Sequence, residues 1–291
     1  MSMLFVPLPG NAVMAKHLAG LADGKVGTLE TRRFPDGERY LRFPNDLRDR
    51  RVALVCTLDR PDQKIPTLLF AARTARELGA RQVGLVAPYL CYMRQDTRFH
   101  PGEAVTAHCF AELISADFDW LVTLDPHLHR FTSLSQLYSV PARAAHAGPA
   151  IAKWIKDNVE RPFLIGPDEE SLQWIRPVAK ACGGSPFAVL NKERRGDRDV
   201  RVQAPRLQAN GDATPVLLDD VISTGQTILA ALAAVTPQFQ RPPVVIAVHG
   251  LFCGNARRLL ARRARLVTTN SVGAGRIEIA PALAQMIATL P

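Results

Sequence analysis

The chain of 291 residues is poor in the features that mark secreted, membrane and nucleic-acid-binding proteins. It has five cysteines, Cys56, Cys91, Cys109, Cys182 and Cys253. They are odd in number and widely spaced, and none forms a CxxC pair, which points to a reducing cytoplasm. No apolar run approaches the ~18 residues needed to span a bilayer. The opening stretch MSMLFVPLPGNAVMAKHL has no basic leader, and Pro7 and Pro9 interrupt its apolar residues, so no signal peptide is expected. Aromatic residues are only 7% of the chain. That lack argues against a nucleic-acid groove, although the net charge is +9 and the pI near 9.7. The one basic cluster, Arg257, Arg258, Arg262, Arg263 and Arg265, has helical spacing with Leu259 and Leu260 between, as a solvated helix face would. Anionic small substrates are a second explanation of the positive balance.

What is present is an ordinary globular balance, with 47% hydrophobic and 22% charged residues. The length suits two domains. Short apolar runs alternate with helical stretches throughout. Strands are expected at 51–56, 82–87, 120–124, 163–165, 187–190, 216–218, 244–248 and 266–268. Helices are expected at 65–78, 104–114, 145–158, 171–181 and after Gly225. Such alternation predicts an α/β fold of parallel sheets flanked by helices. The Ser/Ala/Pro-rich segment 133–150 places a boundary at mid-chain, giving domains 1–144 and 145–291, with the last helix able to pack back on the N-terminal domain. Residues 25–43 break the rhythm and read as a hairpin flap. The stretch VALVCTLDRPDQKIPTLLFAA shares the strand–loop–helix rhythm of VLLDDVISTGQTILAALAA, so the halves read as a diverged repeat.

The most informative stretch is VLLDDVISTGQT, Val216 to Thr227. It reads as a strand end, two carboxylates, a small-hydroxyl-and-glycine loop and a helix start. Amides at a helix start and the helix dipole favour an anion. Gly225 lets the backbone approach it closely, and Thr224 and Thr227 add hydroxyls. Asp219 and Asp220 repel phosphate but can accept hydrogen bonds from two vicinal hydroxyls. Phosphate on one side and a diol on the other describe a pentose 5-phosphate. The plain alternative is a strand, turn and helix with ordinary capping residues.

Other constellations add to it. In the segment 31–38, Pro35-Asp36-Gly37 is turn chemistry, Phe34 offers a flat face to a base, and Asp36 and Glu38 offer acceptors. PYLCYMRQD, 88–96, follows a strand end, where α/β sheets place ligands. There Arg94 can hold phosphates, and Gln95 and Asp96 can hold a base or organise water. His127 and His129 follow another strand end and can ligate a metal or serve as satisfied polar groups. Asp168 follows a third strand. Lys192 and Arg194 open a charged loop of the kind that solvates freely or closes over a polyphosphate.

Taken together, and in this order along the chain, these motifs resemble those of ribose-phosphate pyrophosphokinases over about two-thirds of the sequence. The resemblance implies two tandem phosphoribosyltransferase-type domains and transfer of the β,γ-diphosphate of ATP to O1 of ribose 5-phosphate. It implies ATP contacts from Phe34, Asp36, Glu38, Arg94, Gln95 and Asp96. The sugar phosphate falls to Asp219, Asp220, Ser223, Thr224, Gly225, Gln226 and Thr227. Mg²⁺ falls to His127, with His129 in reserve, and to Asp168. Lys192 and Arg194 take the places of the catalytic flexible loop. It also implies a homodimer or larger homo-oligomer, since the family places its ATP site across a subunit interface. Two departures stand out. Glu170 replaces a glycine two places after Asp168, and Ser223 stands where many bacterial members have Asp, pointing to a divergent or archaeal-like branch. A type I phosphoribosyltransferase, or a non-catalytic regulatory subunit with a synthetase fold, are the alternatives.

Overall fold

In the computed structural model, residues 2–194, 200–203 and 212–290 are described, the side chains of 191–211 excepted. The chain divides into two compact units. Met1–His146 with Ala280–Pro291 form the first, and Ala147–Ile279 the second.

The first unit opens with β1 (Leu4–Pro7), α1 (Ala12–Leu21) and β2 (Lys25–Val26). The hairpin strands β3 (Glu30–Arg33) and β4 (Arg39–Arg42) follow, then β5 (Arg51–Val55), α2 (Ile65–Glu77) and β6 (Gln82–Ala87). The series ends with α3 (Thr106–Asp117), β7 (Trp120–Leu124) and β8 (Ala142–Ala145). Six strands form one parallel sheet in the order β2-β1-β5-β6-β7-β8. Its inner strands β1, β5, β6 and β7 are nearly continuous apolar runs, as burial on both faces requires. Val52, Leu54, Val83, Leu85 and Leu121 are fully buried among Leu68, Ala72, Phe110 and Ile114 of the covering helices. Gly84 lies opposite Trp120 in the β6–β7 register, where a Cβ would overlap the indole.

The second unit contains α4 (Gly148–Asn158), β9 (Pro162–Gly166), α5 (Leu172–Ala181) and β10 (Phe187–Val189). A hairpin of β11 (Asn191–Arg194) and β12 (Val200–Gln203) leads to β13 (Thr214–Ile222), α6 (Gln226–Val235) and β14 (Val244–Gly250). Then come α7 (Ala256–Ala261) and β15 (Arg265–Thr268). Its parallel sheet has the order β10-β9-β13-β14-β15, with a core built on Ile165, Leu217, Val245, Ile228 and Leu232. The last helix, α8 (Ala280–Ile287), packs on α1, β7 and β8 of the first unit.

Four local readings change. No strand is expected ahead of the hairpin flap, because prolines punctuate 4–9, yet β1 lies inside the first sheet, with Pro7 at its final position beyond the two residues that pair with β2. Ala145, expected to open a helix, ends edge strand β8, and α4 starts three residues later with Pro149 in its first turn. Strand β13 does not stop at Leu218 but runs through both aspartates to Ile222, because its flanking partner β14 continues pairing as far as Gly250. The basic cluster is not one helix: α7 ends at Ala261, and Arg265 lies in β15 with its guanidinium 4.8 Å from the centre of the Trp154 ring.

Candidate active site

The sugar-phosphate candidates sit at the carboxyl end of the second sheet, where parallel sheets open their crevice. Within β13, Asp219 Oδ1 accepts from the Asp220 amide at 3.1 Å, and Asp220 Oδ1 accepts from the Val221 amide at 2.7 Å. Asp168 follows the neighbouring strand β9. Burial, then the charges of Asp220 and Asp168, push the Asp219 carboxyl well above the usual carboxylate range. The fold therefore brings Asp168, about fifty positions earlier in the chain, close enough to act on the adjacent pair Asp219 and Asp220.

Beyond them the loop is braced from one side. Ile222 O accepts from the Leu251 and Phe252 amides at 3.0 and 3.1 Å, and Ser223 O accepts from Cys253 N–H at 3.0 Å. The Ser223 hydroxyl lies 3.3 Å from the Cys253 sulfur. Gly225 has φ +74°, and a Cβ there would meet Leu260 Cδ1 at 3.2 Å and Ala256 Cβ at 3.4 Å. Both the left-handed backbone and the approach to α7 require glycine. The amide of Leu229 bonds Gly225 O at 2.9 Å, and among the described residues no side-chain hydrogen bond caps α6. The amides of Gln226, Thr227 and Ile228 precede that bond and have no acceptor inside the helix. Thr224 and Gln226 are exposed, Ser223 and Thr227 half-buried. A helix start with outward amides, hydroxyls beside it and no cap can hold an oxyanion.

Asp168 O accepts from the Ser171 amide at 3.1 Å and from the Ser171 hydroxyl. Glu170 lies in the short 3₁₀ turn 169–171 and does not adopt a left-handed φ, so a side chain fits there without strain. Lys192 and Arg194 pair with Val202 and Val200 in the β11–β12 hairpin. Their side chains lie outside the described residues.

In the first unit the flap is the expected hairpin. The Phe34 amide bonds Glu38 O, the Gly37 amide bonds Phe34 O, both at 2.9 Å, and the Glu38 amide bonds Asp36 Oδ1 at 3.1 Å. Arg32, two residues before Phe34 on the same face, places its guanidinium 4.5 Å from the Phe34 ring centre and 4.4 Å from that of Tyr40. Arg32 and Tyr40 escaped the sequence reading, although β-pairing opposite a Pro-Asp-Gly turn foretells the contact. Phe34 is 37% exposed.

The loops after β6 and β7 converge. Arg94 is exposed and Gln95 half-buried, but the Asp96 side chain is only 5% exposed. Its Oδ2 is 4.0 Å from His129 Nδ1 and its Oδ1 3.7 Å from Arg130 Nε. The His127 and His129 rings lie stacked, 6.3 Å apart. Asp125, with φ +33°, is buried against His146, whose Nδ1 is 2.8 Å from Asp125 Oδ1. That hydrogen bond raises the His146 pKa. Neither Arg130 nor His146 belongs to a motif legible in the sequence.

The donors suit a hard divalent cation. The second unit offers the crowded carboxylates, and in the first the buried Asp96 Oδ2 makes no hydrogen bond. Among the described residues no three such side chains enclose a metal by themselves. Oxygen donors of this kind suit Mg²⁺, which keeps several waters and takes one or two protein ligands plus substrate phosphates. No described helix is long and apolar enough to cross a membrane.

The model of the N-terminal domain of ribose phosphate pyrophosphokinase matches residues 3–117, and that of the phosphoribosyl transferase domain matches 133–250. The class is therefore an α/β protein of two phosphoribosyltransferase-type domains in tandem. A ribose-phosphate pyrophosphokinase of Saccharolobus solfataricus is 34% identical over 250 residues, 84% of either chain. One of Methanopyrus kandleri is 34% identical over 284 residues, 95% of this chain and 96% of the relative. The crystal structure of phosphoribosylpyrophosphate synthetase from Mycobacterium smegmatis superposes with a TM-score of 0.84 at 22% identity, covering 99% of this chain and 98% of that one, which attests the fold. The chain belongs to the ribose-phosphate pyrophosphokinase family and is an enzyme of that family.

Proposed function

We propose that the enzyme transfers the β,γ-diphosphate of ATP to O1 of ribose 5-phosphate. A bond forms between O1 and the β-phosphorus, the bond from that phosphorus to the α,β-bridging oxygen breaks, and the O1 proton is released. The products are phosphoribosyl pyrophosphate and AMP. The observation that carries this reading is the uncapped loop Ser223–Thr227 beside the Asp219–Asp220 pair. The 5-phosphate takes the amides of the α6 start and the hydroxyls of Ser223, Thr224 and Thr227, with Gly225 and Gln226 shaping the cradle. The two aspartates accept from the ribose hydroxyls and fix the sugar in orientation. Phe34, Asp36 and Glu38 of the flap bind the adenosine side of ATP, and Arg94 and Gln95 meet its other groups, with buried Asp96 in the same segment.

Such chemistry is mostly positioning and charge neutralisation. Lys192 and Arg194 stabilise charge on the transferred group and on departing AMP. Mg²⁺ would neutralise phosphate oxygens when bound, with His127 the residue that would hold one ion and Asp168 the residue that would support a second. We further propose a cytoplasmic homodimer or larger homo-oligomer, which supplies ATP-side elements across an interface. Incubation with ATP, Mg²⁺ and ribose 5-phosphate, followed by coupled detection of AMP, tests the assignment. AMP release dependent on ribose 5-phosphate is expected. A protein that instead consumes phosphoribosyl pyrophosphate and a base, without ATP, is a phosphoribosyltransferase, and one inert in both assays is a regulatory subunit.

A further inference from the structure

We infer that Asp96 and His146 are positioning residues that clamp the segment 125–130 from opposite sides and so fix His127. The inference rests on the proposed function for what His127 serves. Strands β6, β7 and β8 are neighbours in the sheet, and the three loops at their ends meet. On the β8 side, the Asp125 amide bonds Ala145 O at 2.9 Å and the Asp125 carboxylate takes His146 Nδ1 at 2.8 Å. Asp125 has a left-handed φ of +33°, uncommon for a residue with a Cβ. Such a backbone persists only where its surroundings impose it, and the pair of bonds to 145 and 146 does so. On the β6 side, the Asp96 carboxylate faces Arg130 at 3.7 Å and His129 at 4.0 Å. Between the clamps the chain makes a tight turn, with the Leu128 amide bonding Pro126 O at 2.7 Å, and His127 is the residue inside it.

A buried carboxylate demands charged or hydrogen-bonding partners. The groups that face Asp96, Arg130 and His129, both belong to the segment 125–130, so the carboxylate is placed to hold that loop. A residue in this position is expected to change metal affinity or turnover by about 10–100-fold when removed.

The test compares wild type with Asp96→Asn, His146→Phe and His146→Asn in the full-length protein. It reads kcat, KM for ATP, Mn²⁺ affinity in the presence of ATP without ribose 5-phosphate, and thermal stability. Asp96→Asn should lower kcat and weaken Mn²⁺ about 10-fold while KM for ATP stays within twofold. His146→Phe should do the same. His146→Asn, which keeps a donor near the place of Nδ1, should recover most of the loss. A raised KM for ATP with unchanged kcat in Asp96→Asn would make it a nucleotide contact and overturn the clamp. So would wild-type Mn²⁺ affinity in His146→Phe, or equal losses in the Phe and Asn variants. If His146→Phe does not fold, His146→Gln, whose donor mimics Nε2, replaces it, and Asn must outperform Gln. A wild type that releases no AMP defeats the functional reading, while the Mn²⁺ comparison still decides the clamp.

Discussion

The two strand–loop–helix connections that look like repeats, β5 to α2 and β13 to α6, answer one question in opposite ways. In the first unit the loop's polar groups are engaged internally. The Thr57 amide bonds Asn11 Oδ1 at 2.8 Å and the Leu58 amide bonds Tyr89 O at 3.0 Å. Arg60 has φ +50°, and residues 61–63 wind into a 3₁₀ turn that bonds the Lys64 amide to Pro61 O at 2.8 Å. Lys64 Nζ donates to Thr57 O at 2.7 Å and also pairs with Asp59. Pro66 brings a residue without an N–H into the first turn of α2. In the second unit the loop is braced from its β14 side, and Asp219, Asp220 and Asp168 bring their negative charges together beside it. A binding cradle consists of groups that the fold leaves open, and the second connection keeps what the first has used. Under the proposed function, sugar and turnover fall to the second unit and ATP to the first.

The strongest way to break that division is Lys192→Ala. Turnover should fall by about 10²–10³, the range for one preorganised charge-stabilising donor, while ribose 5-phosphate affinity stays unchanged. Near-normal turnover, measured by AMP release, would return the β11–β12 hairpin to a merely solvated element.

Next comes Asp220→Asn. The amide oxygen can still accept the Val221 amide now bonded at 2.7 Å, so the local backbone is kept while a charge-assisted acceptor for a ribose hydroxyl is lost. Ribose 5-phosphate should bind more weakly by ~1–3 kcal/mol. Sulfate should still bind the Ser223–Thr227 loop, whose amides do not depend on that carboxylate. Titration with both ligands separates the diol-reading pair from the phosphate-reading loop, and equal losses would merge them.

On the ATP side, Phe34→Ala should weaken ATP by ~1 kcal/mol, the low end for one aromatic stack. The low end applies because Arg32 already lies over the ring, 4.5 Å from its centre. Ribose 5-phosphate affinity should not move. A parallel loss in both titrations would mean a general folding defect.

How much of this was legible in the sequence follows from how local each determinant is. The hairpin flap and the strand–loop–helix of the second unit were readable because Pro-Asp-Gly and Ser-Thr-Gly-Gln-Thr fix their own backbone. Strand β1 was not, because its place is fixed by pairing with β5, fifty residues away, and prolines mask the run. The aspartates read as loop residues because charge suggests a strand end, yet pairing with β14 carries the strand past them. The gathering of Asp168 with Asp219, and of Asp96 with Arg130, depends on which strands are neighbours. Single motifs carry no such information. His146 was invisible for the same reason: its partner Asp125 lies 21 positions earlier.

The smallest expected effect concerns stability rather than ligands. The folded state holds the Asp219 proton more tightly than the unfolded chain does, through burial and the charges of Asp220 and Asp168. From the ordinary carboxylate range up to that raised pKa, the folded protein binds more protons, so its stability falls as pH rises through the window. Above the ordinary carboxylate range, without ligand, the raised pKa of Asp219 therefore costs the second unit stability, and the open cradle carries a thermodynamic cost. Asp219→Asn mimics the protonated form. It should raise the melting temperature of the ligand-free protein by about 2–4 °C at pH 7, the scale of roughly 1 kcal/mol in a unit of this size, and leave it unchanged near pH 4. Melting curves of both proteins across that range decide the matter. A mutant less stable than wild type at pH 7 would show that the Asp219 carboxylate supports the fold, and that the open cradle carries no such cost.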